Sequence, residues 1–112
     1  MQPLKKKIQQ PEKKIRNEIV RFLMYRGWHV EIVDFNGLPD LYATHKLYFG
    51  RWIEVKLPEM KGSSFTVAQK RVFPAFSDNG TPIWVLTDAT EYEYQKLFKP
   101  SNFFEYFILK GF

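Results

Sequence analysis

The 112-residue chain has no cysteine, which excludes a disulfide framework, thiolate zinc centres and cysteine nucleophiles in one step. It has two histidines; His29 and His45 are isolated and have no partners at ligand spacing, so neither a zinc finger nor histidine-based nuclease chemistry is supported. Gly27, Gly37, Gly50, Gly62, Gly80 and Gly111 each stand alone at a turn or an end. No glycine-rich loop is present to cradle phosphates, and a nucleotide cofactor is not expected. Ser63 and Ser64 lack the histidine and carboxylate arrangement of a serine nucleophile. No stretch approaches the roughly 18 apolar residues of a membrane span. Met1-Gln2-Pro3-Leu4 runs into lysines without the apolar segment of a signal peptide. The expectation is a soluble, intracellular protein with no membrane partner.

Hydrophobic residues make up 45% of the chain and charged residues 26%, enough to bury a core, and the length suits a single domain. The formal charge is +5, and it is unevenly placed. Residues 1–26 carry Lys5, Lys6, Lys7, Lys13, Lys14, Arg16, Arg21 and Arg26 against Glu12 and Glu18, a net of +6, leaving −1 for the rest. A neutral body with a basic front end fits a polyanion better than a small acidic metabolite. Nucleic acid is the first partner to consider, contacted by Lys5, Lys6, Lys7, Lys13, Lys14, Arg16 and Arg21, and a membrane surface is the second.

Residues 1–11 are polar, basic and interrupted by Pro3 and Pro11, as in a flexible arm, and 12–112 form one domain. Ile15, Ile19, Phe22 and Leu23 recur at helical spacing, predicting a helix over 11–26 stopped by Gly27. Trp28, Val30, Ile32 and Val33 read as a strand ending at the turn Asn36-Gly37-Leu38-Pro39. Further strands are expected over 40–44 and 51–56. Thr66 followed three residues later by Gln69 is a capping-box pattern that opens a second helix, with Pro74 predicting a kink or a late start. Asn79-Gly80 closes that helix, and 82–87 reads as a buried strand. Asp88 or Thr90 caps a further helix to about residue 98. The aromatic tail, 100–112, is too apolar to float free and should pack on this subunit or on another. The order is αβββαβα, an α/β fold with a mixed central sheet flanked by helices.

Side chains alternate across a strand, so Trp52, Glu54 and Lys56 share one face and Arg51, Ile53 and Val55 the other. A hairpin centred on Leu47 opposes Leu41 to Ile53, Tyr42 to Trp52 and Asp40 to Glu54. Two carboxylates are then face to face, which is destabilising unless something neutralises them. A divalent cation would do so, and hard oxygen ligands suit magnesium or manganese rather than zinc. A competing two-residue turn at His45-Lys46 would separate the two carboxylates onto opposite faces. Glu18 lies at the edge of the apolar stripe of the first helix, where a third carboxylate is either a solvated flank or functional.

The motif Gly37-Leu38-Pro39-Asp40, then Ile53-Glu54-Val55-Lys56, then Thr66 to Gln69, with Glu18 upstream, resembles the PD-(D/E)XK nucleases. Within them it is most similar to the virus-type replication-repair nuclease (VRR-NUC) domains. The resemblance spans about residues 12–98 and implies a restriction-endonuclease-like core. It implies that Asp40, Glu54 and the Val55 backbone carbonyl ligate Mg2+, with Mn2+ as a substitute, and that Glu18 assists through water. Lys56 would orient or deprotonate the attacking water or stabilise charge on the phosphate, and Gln69 would position Lys56 or a phosphate oxygen. Stand-alone phage and bacterial members of the family imply a homodimeric endonuclease acting on four-way (Holliday) junctions or other branched DNA in a bacterial cytoplasm, in DNA repair or recombination. The alternative is a non-catalytic nucleic-acid-binding module on the same fold.

Overall fold

The computed structural model describes residues 10–110, with side chains through Ile108. The tri-lysine segment Lys5-Lys6-Lys7 lies outside the described residues. The first helix, α1 (Gln10–Tyr25), begins at Gln10, so the last two residues of the expected arm are helical. Pro11 is tolerated there because the amides of a first helical turn have no intrahelical partner. Helix α1 ends in a reverse turn in which the Trp28 amide reaches Leu23 O at 3.1 Å and the Gly27 amide Met24 O at 3.1 Å. Gly27 takes the left-handed conformation, φ +90°, that this turn requires.

Four strands follow the order β1 (His29–Ile32), β2 (Leu41–His45), β3 (Phe49–Val55) and β4 (Ile83–Leu86) across one sheet. β1, β2 and β3 are antiparallel neighbours, and β4 joins β3 in parallel. The parallel pair needs a crossover, and α2 (Val67–Asp78) supplies it. α3 (Glu91–Gln95) and α4 (Phe103–Lys110) complete an α/β fold. The fourth helix extends the expected order: the aromatic tail is helical, because the sequence spacing of Phe103 and Phe107 puts both on one face.

The sheet separates two cores. On one face Leu41, Ala43, Ile53, Val55, Trp84 and Leu86 meet Ile19 and Leu23 of α1 and Tyr94 of α3. On the other, Ile83 and Val85 meet Phe73 of α2 and Phe103 and Phe107 of α4. The tail therefore completes the monomer core, while Phe104 and Ile108 face outward. The β2–β3 register pairs Leu41 with Ile53 and Tyr42 with Trp52, the hairpin centred on Leu47, and not the two-residue turn at His45-Lys46.

Helix α2 starts directly after Thr66 and carries Pro74 inside it, so of the two outcomes expected of Pro74, a kink or a late start, the late start does not occur. Thr66 caps it, and the Thr81 amide to Phe76 O (2.8 Å) and Gly80 amide to Ser77 O (3.0 Å) close it. Beyond β4, the chain satisfies the outer sheet edge with side chains. The Val85 amide donates to Asn102 Oδ1 (2.7 Å) and Asn102 Nδ2 donates to Val85 O (3.1 Å), while Ser101 Oγ bonds both the amide and the carbonyl of Ile83. No helix among the described residues is long and apolar enough to cross a membrane.

Candidate active site

Four polar side chains meet on the α2 side of the sheet. Asp40 immediately precedes β2, Glu54 lies near the end of β3 and Lys56 directly follows it, and Gln69 is in the first turn of α2. The β2–β3 register continues one step beyond Leu41, which sets Asp40 across from Glu54. All four are buried, between 1% and 3% exposed. Charges are expensive to bury unless paired and hydrogen-bonded, so their partners decide what the cluster is.

The carboxylates are held by donors from three elements. Asp40 Oδ2 accepts the Val55 amide at 2.8 Å, and Glu54 Oε1 accepts the Asp40 amide at 3.2 Å. Glu54 Oε2 accepts Gln69 Nε2 at 3.0 Å and pairs with Lys56 Nζ at 3.0 Å. The ammonium also donates to Ser64 O (2.7 Å) and Gln69 Oε1 (3.3 Å). Three donors thus meet three acceptors, and the Phe65 ring lies 4.6 Å away. Repulsion between the two carboxylates is offset within the protein by one ammonium and by backbone amides.

Gln69 has two roles at once. Its amide N–H donates to Thr66 Oγ1 and its Oε1 accepts the Thr66 amide, each at 3.1 Å, a reciprocal capping box. The same side chain bridges Glu54 and Lys56. On the other flank Gly37, at φ +93°, packs so closely on α2 that a Cβ there would stand 3.2 Å from Ala68 Cβ. Two features of the motif, Gly37 and Gln69, are thus among the contacts that hold the Asp40 loop and β3 against α2.

Glu18 is placed differently. It is half-buried on α1, which packs on the opposite face of the sheet. Among the described residues no three His, Asp or Glu side chains form a group able to hold a metal ion, so Glu18 does not join Asp40 and Glu54. Lys13, Lys14 and Arg21 are exposed on that same helix. Arg16 is buried, with its guanidinium donating to Asn17 Oδ1 at 3.2 and 3.3 Å.

Sequence patterning passed over several contributors. Ser64 acts through its carbonyl, which carries no side-chain signal. Ser63 Oγ accepts the Leu57 amide at 2.8 Å and shapes the loop that returns the chain toward Thr66. Lys61 is exposed on the loop before α2, and Lys70 and Arg71 are exposed on α2 itself, where their signal was their interleaving with buried Gln69 and Phe73.

The donor set suits a hard divalent cation. Magnesium is commonly bound through one or two carboxylates completed by water and substrate phosphates, and Asp40 with Glu54 supplies that pair. Compared with protein-family models, with curated proteins and with solved structures, the chain matches none.

Proposed function

We propose that this chain is a magnesium-dependent DNA endonuclease of the PD-(D/E)XK type, with a VRR-NUC-like site, acting on branched DNA such as four-way junctions as a homodimer. The observation that supports it is the convergence of Asp40, Glu54, Lys56 and Gln69, from three separate segments, into one buried and fully bonded cluster. Sequence spacing alone does not require four polar groups to leave water together.

Asp40 and Glu54, with the Val55 carbonyl, would hold the metal, which supplies charge neutralisation at the phosphate and an activated water. Lys56 keeps the Glu54 carboxylate in place and offers a positive charge two residues away along the strand, where it can orient the attacking water or stabilise charge on the phosphoryl oxygens. Gln69 holds both. Lys61, Lys70 and Arg71, exposed on the loop and helix that carry Ser64 and Gln69, would offer positive charge to a DNA backbone, and Lys13, Lys14 and Arg21 would offer more from α1. One small domain has one such cluster, so paired cuts across a junction require two copies.

A second reading, a nucleic-acid-binding module without catalysis, is favoured by one observation: the four groups are almost completely buried and mutually satisfied. Incubation with labelled branched and linear DNA in Mg2+ separates the two. Cleavage that vanishes in Glu54→Gln supports the endonuclease. Failure to cut any substrate, or cutting that survives Glu54→Gln, eliminates it, and salt-sensitive binding indifferent to Asp40→Asn then establishes the module.

A further inference from the structure

The two edges of the sheet are treated in opposite ways. At β4 the outward amides and carbonyls of Ile83 and Val85 are bonded by Ser101 and Asn102. At β1, the described residues provide a partner on the β2 side only. The Val33 amide donates to Asp40 O at 2.8 Å, which marks 33 and 40 as a hydrogen-bonded pair. Antiparallel pairs alternate, so His29 and Glu31 turn their backbone groups toward β2, while Val30 and Ile32 turn theirs outward. Open edges of this kind template pairing with another strand.

We infer that β1 is the surface by which two copies of this chain associate, pairing antiparallel across a two-fold axis at Val30 to make one continuous eight-stranded sheet. Three observations select a second copy as the occupant. First, an axis at Val30 places its outward amide and carbonyl against the same groups of the partner strand. Second, that axis sets His29 opposite the partner's Glu31, and Glu31 opposite the partner's His29. These residues already form a 2.5 Å pair within one strand. They fall at the non-hydrogen-bonded positions, where cross-strand side chains come closest. An axis at Glu31 would instead oppose two glutamates. Third, exposed apolar side chains flank both ends of the strand: Met24 and Tyr25 before it, Ile32 and Phe35 at and after its close. A two-fold axis brings the leading flank of one copy to the trailing flank of the other, adding apolar area to a contact that the three residue pairs within β1 alone would leave small.

This deepens the two-copy part of the reading above, on which it rests; the chemistry of Asp40 and Glu54 does not enter. The test is the mass of the full chain in solution by sedimentation and light scattering, with cleavage measured in parallel. Wild type is expected at twice the chain mass. Val30→Pro removes the outward N–H without touching the β2 ladder, a position where an edge strand tolerates proline, and should weaken association at least tenfold with an unchanged circular dichroism spectrum. Glu31→Lys should weaken it several-fold, and His29→Glu with Glu31→Lys should restore it, which keeps the proposal testable even if the proline variant fails to fold. A monomeric wild type overturns both the edge contact and the two-copy reading. A dimer unaffected by all three variants, or open-ended association, overturns the edge contact alone. Neither outcome alters whether Glu54→Gln abolishes cleavage.

Discussion

Among the described residues, Glu93–Lys96 and Glu54–Lys56 are two glutamate–lysine pairs that differ in what surrounds them. Glu93 and Lys96, 2.5 Å apart, join the end of β4 to α3. Glu93 accepts the amide and hydroxyl of Thr87 at 2.9 and 3.1 Å, and Lys96 reaches out to the Tyr106 hydroxyl. That pair ties one strand to two helices, and its lysine keeps access to solvent, at 21% exposure. Glu54 and Lys56 are sealed at 1% and 3% and stand beside a second carboxylate. A joint between elements explains the first pair. The second sets two carboxylates side by side, which no joint requires, and that added negative charge is of the sign a divalent cation, not a phosphate, would neutralise.

The contrast is broken most directly at Glu54. Glu54→Ala leaves Lys56 buried with a lost partner and should destabilise the fold by about 3–5 kcal/mol in urea unfolding, as for other severed buried pairs. Glu54→Gln should spare most of that stability and still abolish cleavage. Equal stability losses for the two variants would mean the charge matters more than the shape. Glu93→Ala provides the counterpart: about 1–3 kcal/mol, the scale of unsatisfied buried hydrogen bonds, with cleavage per folded molecule unchanged. Loss of cleavage there would erase the distinction between the two pairs.

Thr66→Ala tests a link between folding and chemistry. Loss of an N-cap costs about 1 kcal/mol, and because Gln69 shares the cap and the cluster, cleavage should fall several-fold as well. A stability loss without a rate effect would confine Gln69 to the helix start. The smallest effect is expected at Lys96. Burial pulls its ammonium down, but the Glu93 carboxylate and Tyr106 hydroxyl outweigh burial and hold its pKa above the usual 10.5. A raised pKa contributes stability that is complete below 10.5 and is lost as pH rises through the folded value. The melting-temperature gap between wild type and Lys96→Met should therefore be flat near neutrality and narrow in strong alkali.

Much of this arrangement was legible because it depends on period and register. Alternation in β3 put Glu54 and Lys56 on one face, and matching Leu41 to Ile53 and Tyr42 to Trp52 brought Asp40 opposite Glu54. Thr66 and Gln69 announced the helix start through their spacing. What was not legible depends on three-dimensional placement. Glu18 has the right residue type at the edge of an apolar stripe, yet only the assembled sheet puts α1 on the far side. The Ser64 carbonyl is a backbone group, identical in every residue. Ser101 and Asn102 read as loop polarity, and their use as a substitute strand edge emerges only when β4 lies beside them. The tail was recognisably apolar, but which core it fills depends on where Phe73 lies.

Gly37 offers one last consequence. Its missing side chain lets the loop before Asp40 rest directly against Ala68, one residue before Gln69. The approach of that loop to α2 is therefore limited by a single absent carbon, like a shim of zero thickness. A Cβ added at Gly37 would stand 3.2 Å from Ala68 Cβ, so the loop or the helix would have to give by a few tenths of an ångström. The approach of this loop to α2 is thus set by packing outside the cluster, where no charge is involved.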